Sequence, residues 1–451
     1  MRIKSAHAAL LTLAGCAPAF AWELSPRLEL EVRGFPGVRS GEPLTGSVAG
    51  VLEGFHDFSG SERRRFNFDV FARADSQDAS RTHADARDLY YQYIGRDFEL
   101  RLGNRRVFWG VTESRHLVDI INQSDLAEDL DTEAKLGQPM FNLAVIRDTG
   151  ALDIYLMPYQ RARTFPGVDG YPQLPFPVAV HEAQYESRQG QHHLDFAARY
   201  ATSWGGFDLG VAVFNGTARE PLLRPCLRRG SGYVDTDNGP NCDIVAAAEA
   251  SAPQSPLPDD LTPLLQALGL FPSDDEVRAE IEADVRRNLV LVPTYRRLRQ
   301  ISLDLQYVNE SLALKLETLL REDSTGRSTA AVAGVEYNLG DVGATGVDIG
   351  LLAEYLYDEK RDGLNARFTD DLFLGARVGL NDEAGTELLA GVIVNRPDFR
   401  QYAFQLEASR RLTDAARLSL DARGFADSPA DSPEAFLDGQ SLVRLTLEWF
   451  F

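Results

Sequence analysis

Apolar and polar residues alternate along most of this chain. The last stretch, 441–451, shows it most clearly. There Val443, Leu445, Leu447, Trp449 and Phe451 share one face of an extended strand, while Leu442, Arg444, Thr446, Glu448 and Phe450 share the other. A period of two is the signature of a strand with two unlike environments on its faces. The same rhythm recurs upstream. Residues 65–74 set Phe66, Phe68 and Val70 against Asn67, Asp69 and Arg73, and 98–105 set Phe98, Leu100 and Leu102 against Glu99, Arg101 and Arg105. In 311–321, Leu312, Leu314, Leu316 and Leu320 oppose Lys315, Glu317 and Arg321. Residues 347–358 and 400–410 repeat the pattern, with Tyr355 and Tyr357 against Glu354 and Asp358, then Tyr402 and Phe404 against Gln405 and Glu407.

Scanning for this pattern predicts about eighteen strands of roughly ten residues, with sixteen as the alternative. The connections fall into two classes. Short Gly/Asp/Asn turns lie near 59–62, 95–97, 148–150, 204–206, 309–311, 340–346, 381–385 and 412–415, and longer segments near 75–80, 111–138, 162–190, 218–292, 359–368 and 427–439. The two classes are expected to alternate, which implies an even strand number with both ends on one side. The first strand, near 27–37, carries the weakest pattern.

Mean hydropathy is only −0.24, and no apolar run after the first residues reaches the roughly 20 that a membrane-spanning helix needs. Strands hide in such an average, because one face of each is polar. An apolar strand face ending in aromatics and a terminal Phe451 resembles the closing strand of Gram-negative outer-membrane β-barrels. The resemblance implies an all-β fold: a transmembrane, antiparallel up-and-down β-barrel with long extracellular loops, set in the cell outer membrane. It implies outer-membrane lipid and lipopolysaccharide as surroundings, and the barrel assembly machinery as a partner that reads Phe451.

A second patch, Gly103-Asn-Arg-Arg-Val-Phe-Trp-Gly110 followed by Leu117-Val-Asp119-Ile-Ile-Asn122, resembles a strand end and outer loop of porin-like proteins of unassigned substrate. Gln123 stands where those relatives commonly have Pro. The resemblance marks Arg115, Asp119 and Asn122 as candidates in a loop that narrows a pore. Trp109, Trp204 and Trp449 sit near strand ends, where an aromatic girdle belongs.

Residues 1–21 are expected to be a signal peptide. Arg2 and Lys4 form the charged start, 8–14 the apolar core, and Ala19-Phe20-Ala21 the cleavage site. Leu13-Ala14-Gly15-Cys16 also fits a lipoprotein box, but a barrel needs no lipid anchor. The barrel domain is then 22–451. Its formal charge falls from −21 to −23 once Arg2 and Lys4 are lost, which argues against nucleic acid as a partner. Cys226 and Cys242 remain as a pair within one loop, and a disulfide is expected in an oxidising compartment.

The 218–292 loop is a possible plug. It is expected to hold helices over 260–270 and from Ser273, with Glu276 completing a capping box and Val277, Ile281 and Val285 on one face. Asp125, Glu128, Asp129, Asp131 and Glu133 form an acidic run. It lacks the EF-hand pattern and reads as a solvated loop.

Charged positions predicted to line the lumen are Arg73, Glu99, Arg101, Arg105, Asp195, Arg199, Asp304, Lys315, Glu317, Glu354, Arg377, Arg423 and Arg444. Their signs are interleaved, so no single-sign ring sets ion selectivity. Ser114, His116 and Asp119 lie close in sequence, but nothing around them resembles a nucleophile elbow. The sequence therefore points to a non-enzymatic porin or channel for passive diffusion of small hydrophilic or amphiphilic solutes, with no cofactor and no metal. Alternatives are a conduit for an exported polysaccharide, or a plugged structural or receptor barrel. Oligomeric state is not encoded in any visible pattern.

Overall fold

The computed structural model describes residues 22–36, 44–58, 63–130, 133–228, 240–251, 261–268, 270, 274–360, 369–396, 399, 401–426 and 437–451. Residues 1–21, expected to be a signal peptide, lie outside the described residues, as do Ser273 and Asp131. Eighteen antiparallel strands form one ring in which each strand pairs with the next. The ring closes where Trp22–Gly34 meets Leu442–Phe450, from Arg27 opposite Phe450 to Gly34 opposite Val443. The weakly patterned first strand is thus one of the longest, and the count is eighteen. Its outward Leu28, Leu30 and Val32 are exposed, and its inward Glu29, Glu31 and Arg33 are buried.

Outward positions around the ring carry the large apolar side chains, among them Leu52, Leu102, Val211, Ile301, Leu351 and Val443. An apolar outer face is what a bilayer demands, and ring closure leaves no unpaired strand edge within it. Both ends of the described chain lie on the rim that carries the short turns. We call this the inner rim, and the rim with the long connections the outer rim. Trp204 and Trp449 are 52 % and 44 % exposed at the inner rim, as a girdle requires. Trp109 is only 3 % exposed. It points into the lumen, because the chain leaves the wall after Arg105 and turns inward.

The described part of the 218–292 connection builds a cap with its own core. Leu222–Leu227 pairs with Leu289–Tyr295, which also pairs with Gln184–Tyr185. Helices Asp243–Ser251, Thr262–Ala267 and Asp275–Asn288 pack beside this small sheet. Val245, Leu264, Leu265, Ile281, Val285 and Leu289 meet there with Phe176 from the preceding long connection. The third helix is capped by Asp274, whose carboxylate accepts the Glu276 and Val277 peptide N–H groups at 2.9 and 3.2 Å. Val277 is exposed, so the buried stripe runs through Ile281 and Val285 into Leu289. The first helix was not expected. Its signal is Val245 and Ala248, three apart in an Ala-rich stretch, both buried. The expected Cys226–Cys242 disulfide is formed and ties this helix to the sheet.

Candidate functional site

The segment 106–137 leaves the outer end of the Phe98–Arg105 strand, crosses the lumen and returns to the Gln138–Arg147 strand. Its own legs are stapled first. Asn122 accepts the Val107 N–H at 2.8 Å and donates to the Arg105 and Leu136 carbonyls at 2.8 and 2.9 Å. Asp119 accepts from the Trp109 N–H at 3.4 Å and pairs with Lys135 at 3.0 Å. Burial pushes the Asp119 carboxyl up from its usual range, against the pull of Lys135. The Asp-x-x-Asn spacing therefore fixes the shape of the crossing segment. Where the resemblance leads one to expect Pro, the Gln123 side chain accepts from buried Arg163 at 3.1 Å.

The segment then engages the barrel in three ways. Trp109, Val118 and Ile121 pack on inward Met140, Tyr155, Met157, Ala197, Ala212 and Phe214, filling that side of the lumen with an apolar core. On a second wall, two buried carboxylates capture four consecutive peptide N–H groups. Glu317 accepts from Val111 and Thr112 at 2.7 and 3.0 Å, and Glu354 from Glu113 and Ser114, both at 2.8 Å. Glu317 also accepts from Thr112 Oγ1 at 2.7 Å and the Val118 N–H at 3.1 Å. Gly110 makes this approach possible: its φ is +144°, and a Cβ there would lie 2.9 Å from Glu317 Oε1. Arg115 pairs with Asp358 at 3.0 Å and Glu113 with Arg377 at 2.9 Å.

On the third wall the acidic run docks on arginines. Asp129 pairs with Arg423 and Arg444. Glu128 pairs with Arg73 at 3.0 Å, and its carbonyl accepts from Arg33 at 2.7 Å. Asp125 lies 3.4 Å from His83 and also accepts from Thr164. Burial pushes the Asp129 carboxyl up, but the guanidiniums of Arg423, Arg444 and Arg33 outweigh it and hold the group well below the usual carboxylate range. The expectation of a solvated acidic loop is thus corrected for Asp125, Glu128 and Asp129, which are 2–10 % exposed as side chains, while Glu133 is exposed as expected. The partners of Asp125, Glu128 and Asp129 lie 39 to 315 residues away along the chain, so local sequence could not reveal them. No group of three or more metal-ligating side chains occurs among the described residues. Ser114 is committed to Glu354, and Asp119 to Lys135, so the two serve the fastening of the segment.

A cavity of about 1140 Å³ lies beside the crossing segment, lined by the strands from Asp348 to Phe450 and also by residues of the first strand, of Arg64–Asp75 and of Arg297–Asn309. Of the predicted lumen residues, Arg73, Arg377, Arg423 and Arg444 line it, as do Arg115, Asp119 and Asn122 of the crossing segment. The others do not line it. Glu317 and Glu354 lie under the crossing segment. Arg199 pairs with Asp304 at 2.7 Å, and Lys315 with Glu336 at 2.9 Å. Glu99 pairs with Arg101, and both Arg101 and Arg105 donate to Asn142. Asp195 is fully buried against Arg219 at 2.7 Å. Sequence reasoning missed Arg33 and Arg81, whose ion pairs fall in the interior; Arg33 belongs to the weakly patterned strand, and Arg81 to a connection read as loop.

A closed eighteen-strand ring with an apolar outer face and a charged, partly filled interior has the architecture of a transmembrane β-barrel. No protein-family model matches the chain, and no curated protein matches it. Solved structures that resemble it include Wzi of Escherichia coli, an outer-membrane protein involved in group 1 capsule assembly and a carbohydrate-binding β-barrel. That likeness has 10 % identity over 94 % of this chain and 84 % of Wzi, with a TM-score of 0.48. Pseudomonas putida OprB matches at 11 % identity over 95 % and 94 % of the two chains, with a TM-score of 0.43. A mutant of the Rh. blastica porin matches at 10 % identity over 96 % and 100 %, with a TM-score of 0.40.

Proposed function

We propose that the protein is a channel for passive diffusion of small hydrophilic or amphiphilic solutes through the cavity left beside the 106–137 segment. One observation carries the reading. The cavity lining runs from Lys360 and Arg296 at the outer end of the lumen to Asn381 and Glu448 at the inner end. Eleven acidic and eleven basic side chains are among the described lining residues, with Gln405, Ser409, Ser419 and Thr446 between them. A balanced polar surface suits a water-filled path that selects by size more than by charge. A conduit for an acidic polymer would call for a predominantly basic lining instead. Movement down a gradient needs neither cofactor nor energy input.

The test is single-channel recording of the folded protein in a planar bilayer. Steady openings with a weak ion preference are the expected result. A silent native protein whose variant lacking 222–288 conducts would make the cap a plug and turn the reading toward gating or export. Silence in both would overturn the channel.

A further inference from the structure

The polar lining of the cavity is interrupted on one side. Lumen-facing positions of a barrel are ordinarily polar, yet four successive strands place an apolar side chain inward at one level. Phe373 stands opposite Ile393, Ile393 opposite Ala403, and Ala403 opposite Phe425. All four line the cavity. They sit just below the outer ends of Asp370–Gly379, Glu387–Asn395, Tyr402–Thr413 and Ala416–Ala426, and the alternate residues Leu374, Tyr402 and Phe404 face outward, exposed. Leu117 of the crossing segment packs into the apolar cluster that begins the row, with Leu319, Val332, Leu356 and Phe373. Ala403 and Phe425 lie beyond that cluster.

Phe373 is seated by its neighbours. A Cβ on Gly375 would lie 2.7 Å from the Phe373 Cζ, and one on Gly391 2.9 Å from the same atom, so the ring rests on bare backbone. Glycine inside a strand weakens it and marks a close approach. Here the two glycines lay an aromatic ring along the wall, where a larger residue would push it into the path. A path that had only to hold water has no use for such a surface, because apolar area facing water is unfavourable.

Charge decides what meets the row. The rung above it holds Asp371 and Asn395, and the rung below holds Gln405 and Arg423. Asn395 donates to Asp371 at 3.3 Å, Gln405 donates to Glu407, and Arg423 pairs with Asp421 at 2.9 Å and with Asp129. Glu354, opposite Phe373 on the preceding strand, accepts the Glu113 and Ser114 N–H groups. An acid finds no unpaired guanidinium at the row, and an ammonium finds no carboxylate that a donor has not already met.

We propose that Phe373, Ile393, Ala403 and Phe425 form a subsite for uncharged solutes that carry a flat apolar ring and hydroxyl groups, phenolic alcohols in chemical class. The assignment rests on the channel reading and narrows it to amphiphilic solutes. The solute ring lies on the row, where ring–ring contact adds to the burial of apolar area. Its hydroxyls turn to Gln405 and the polar side of the path.

The test is block of the ionic current in a planar bilayer by four probes of similar size. They are para-hydroxybenzyl alcohol, its charged counterparts para-hydroxybenzoate and para-hydroxybenzylamine, and the polyol myo-inositol. The alcohol is expected to block at the lowest concentration, with inositol at least about tenfold weaker. This ranking needs no variant. Phe373→Ala is expected to weaken block by the alcohol about tenfold without lowering the unblocked current. Gly391→Val, which lifts the ring from its seat, is expected to weaken it with Phe373 still present. Equal block by inositol, tighter block by either charged probe, or undiminished block in both variants would each overturn the subsite. Openings without solute judge the channel separately. If the barrel is silent, saturation-transfer NMR of the four probes on the folded native protein and on Phe373→Ala must give the same ranking and the same loss, or the subsite falls as well.

Discussion

The 106–137 segment and the cap over 218–292 both leave the outer rim, yet they are held by opposite means. The cap buries its own Leu264, Leu265, Ile281 and Val285 and is cross-linked by Cys226–Cys242. The crossing segment has no such core of its own. Its apolar residues pack on the barrel, and the rest of it is fastened by carboxylates and guanidiniums. Length would have nominated the cap as the segment that narrows the lumen. Partners decide instead: a segment enters the barrel when the wall offers what the segment lacks, here Glu317 and Glu354 for bare peptide N–H groups and Arg73, Arg423 and Arg444 for acidic side chains.

Removing the wall acceptors is the hardest test of that contrast. The double variant Glu317→Ala, Glu354→Ala strips four consecutive N–H groups of their acceptors, and hydrogen bonds to charged groups contribute about 1.5–3 kcal/mol each. Allowing for water replacing part of this, opening of 106–137 should become easier by about 3–5 kcal/mol. Limited proteolysis should then cut within this segment at least two orders of magnitude faster. Single-channel current should rise, while the heat-modifiable gel shift of the folded barrel stays. An uncut segment would mean that the arginine wall alone suffices.

Asp129→Asn attacks the other wall and should cost about 3 kcal/mol, because Arg423 and Arg444 lose a buried partner. Its pH behaviour separates it from the first test. The Asp129 carboxyl is lowered in the folded protein, so its stabilisation is full above the ordinary value of about 3.9 and is lost only as pH falls through the lowered one. The contribution of Asp129 to the protection of 106–137 should therefore be undiminished down to about pH 4 and decline only below it. The variant should lack that acid-dependent decline.

Cys226→Ser with Cys242→Ser should act on the cap alone. A closed loop with a sequence separation of 16 is worth about 2–3 kcal/mol. Cleavage within the cap should accelerate, while 106–137 keeps its protection. Loss of protection in both would show that the cap holds the crossing segment down.

How much of this was legible follows from the range of each interaction. Strands were legible because alternation is local and the membrane enforces it on residues such as Leu312 to Leu320 and Val443 to Trp449. The disulfide needed only two cysteines in one loop. Trp109 misled, since its place beside a strand end is equally that of a girdle residue; only the inward turn after Arg105 distinguishes the two. For the lumen candidates, alternation could say only which strand face they share. Which of them a folded segment would cover depended on contacts such as Thr112 with Glu317, separated by 205 residues. Nothing near Asp129 announces Arg423 or Arg444.

The smallest expected effect is at Arg377. Its pair with Glu113 is 2.9 Å long, but the two side chains are 47 % and 24 % exposed, so solvent screens them. Arg377→Gln should change the opening free energy of 106–137 by only about 0.2–1 kcal/mol. It leaves Glu113 facing the cavity with one compensating charge fewer, so the reversal potential should move slightly toward cations, most visibly at low salt. The two readouts separate fastening from selectivity. A shifted reversal potential with unchanged proteolysis is what independent fastenings predict. If Arg377→Gln instead freed the segment as fully as loss of Glu317 and Glu354, the contacts would form one cooperative latch. The crossing segment would then be a gate that a solute binding at the Arg377–Glu113 pair could release, rather than a fixed narrowing of the lumen.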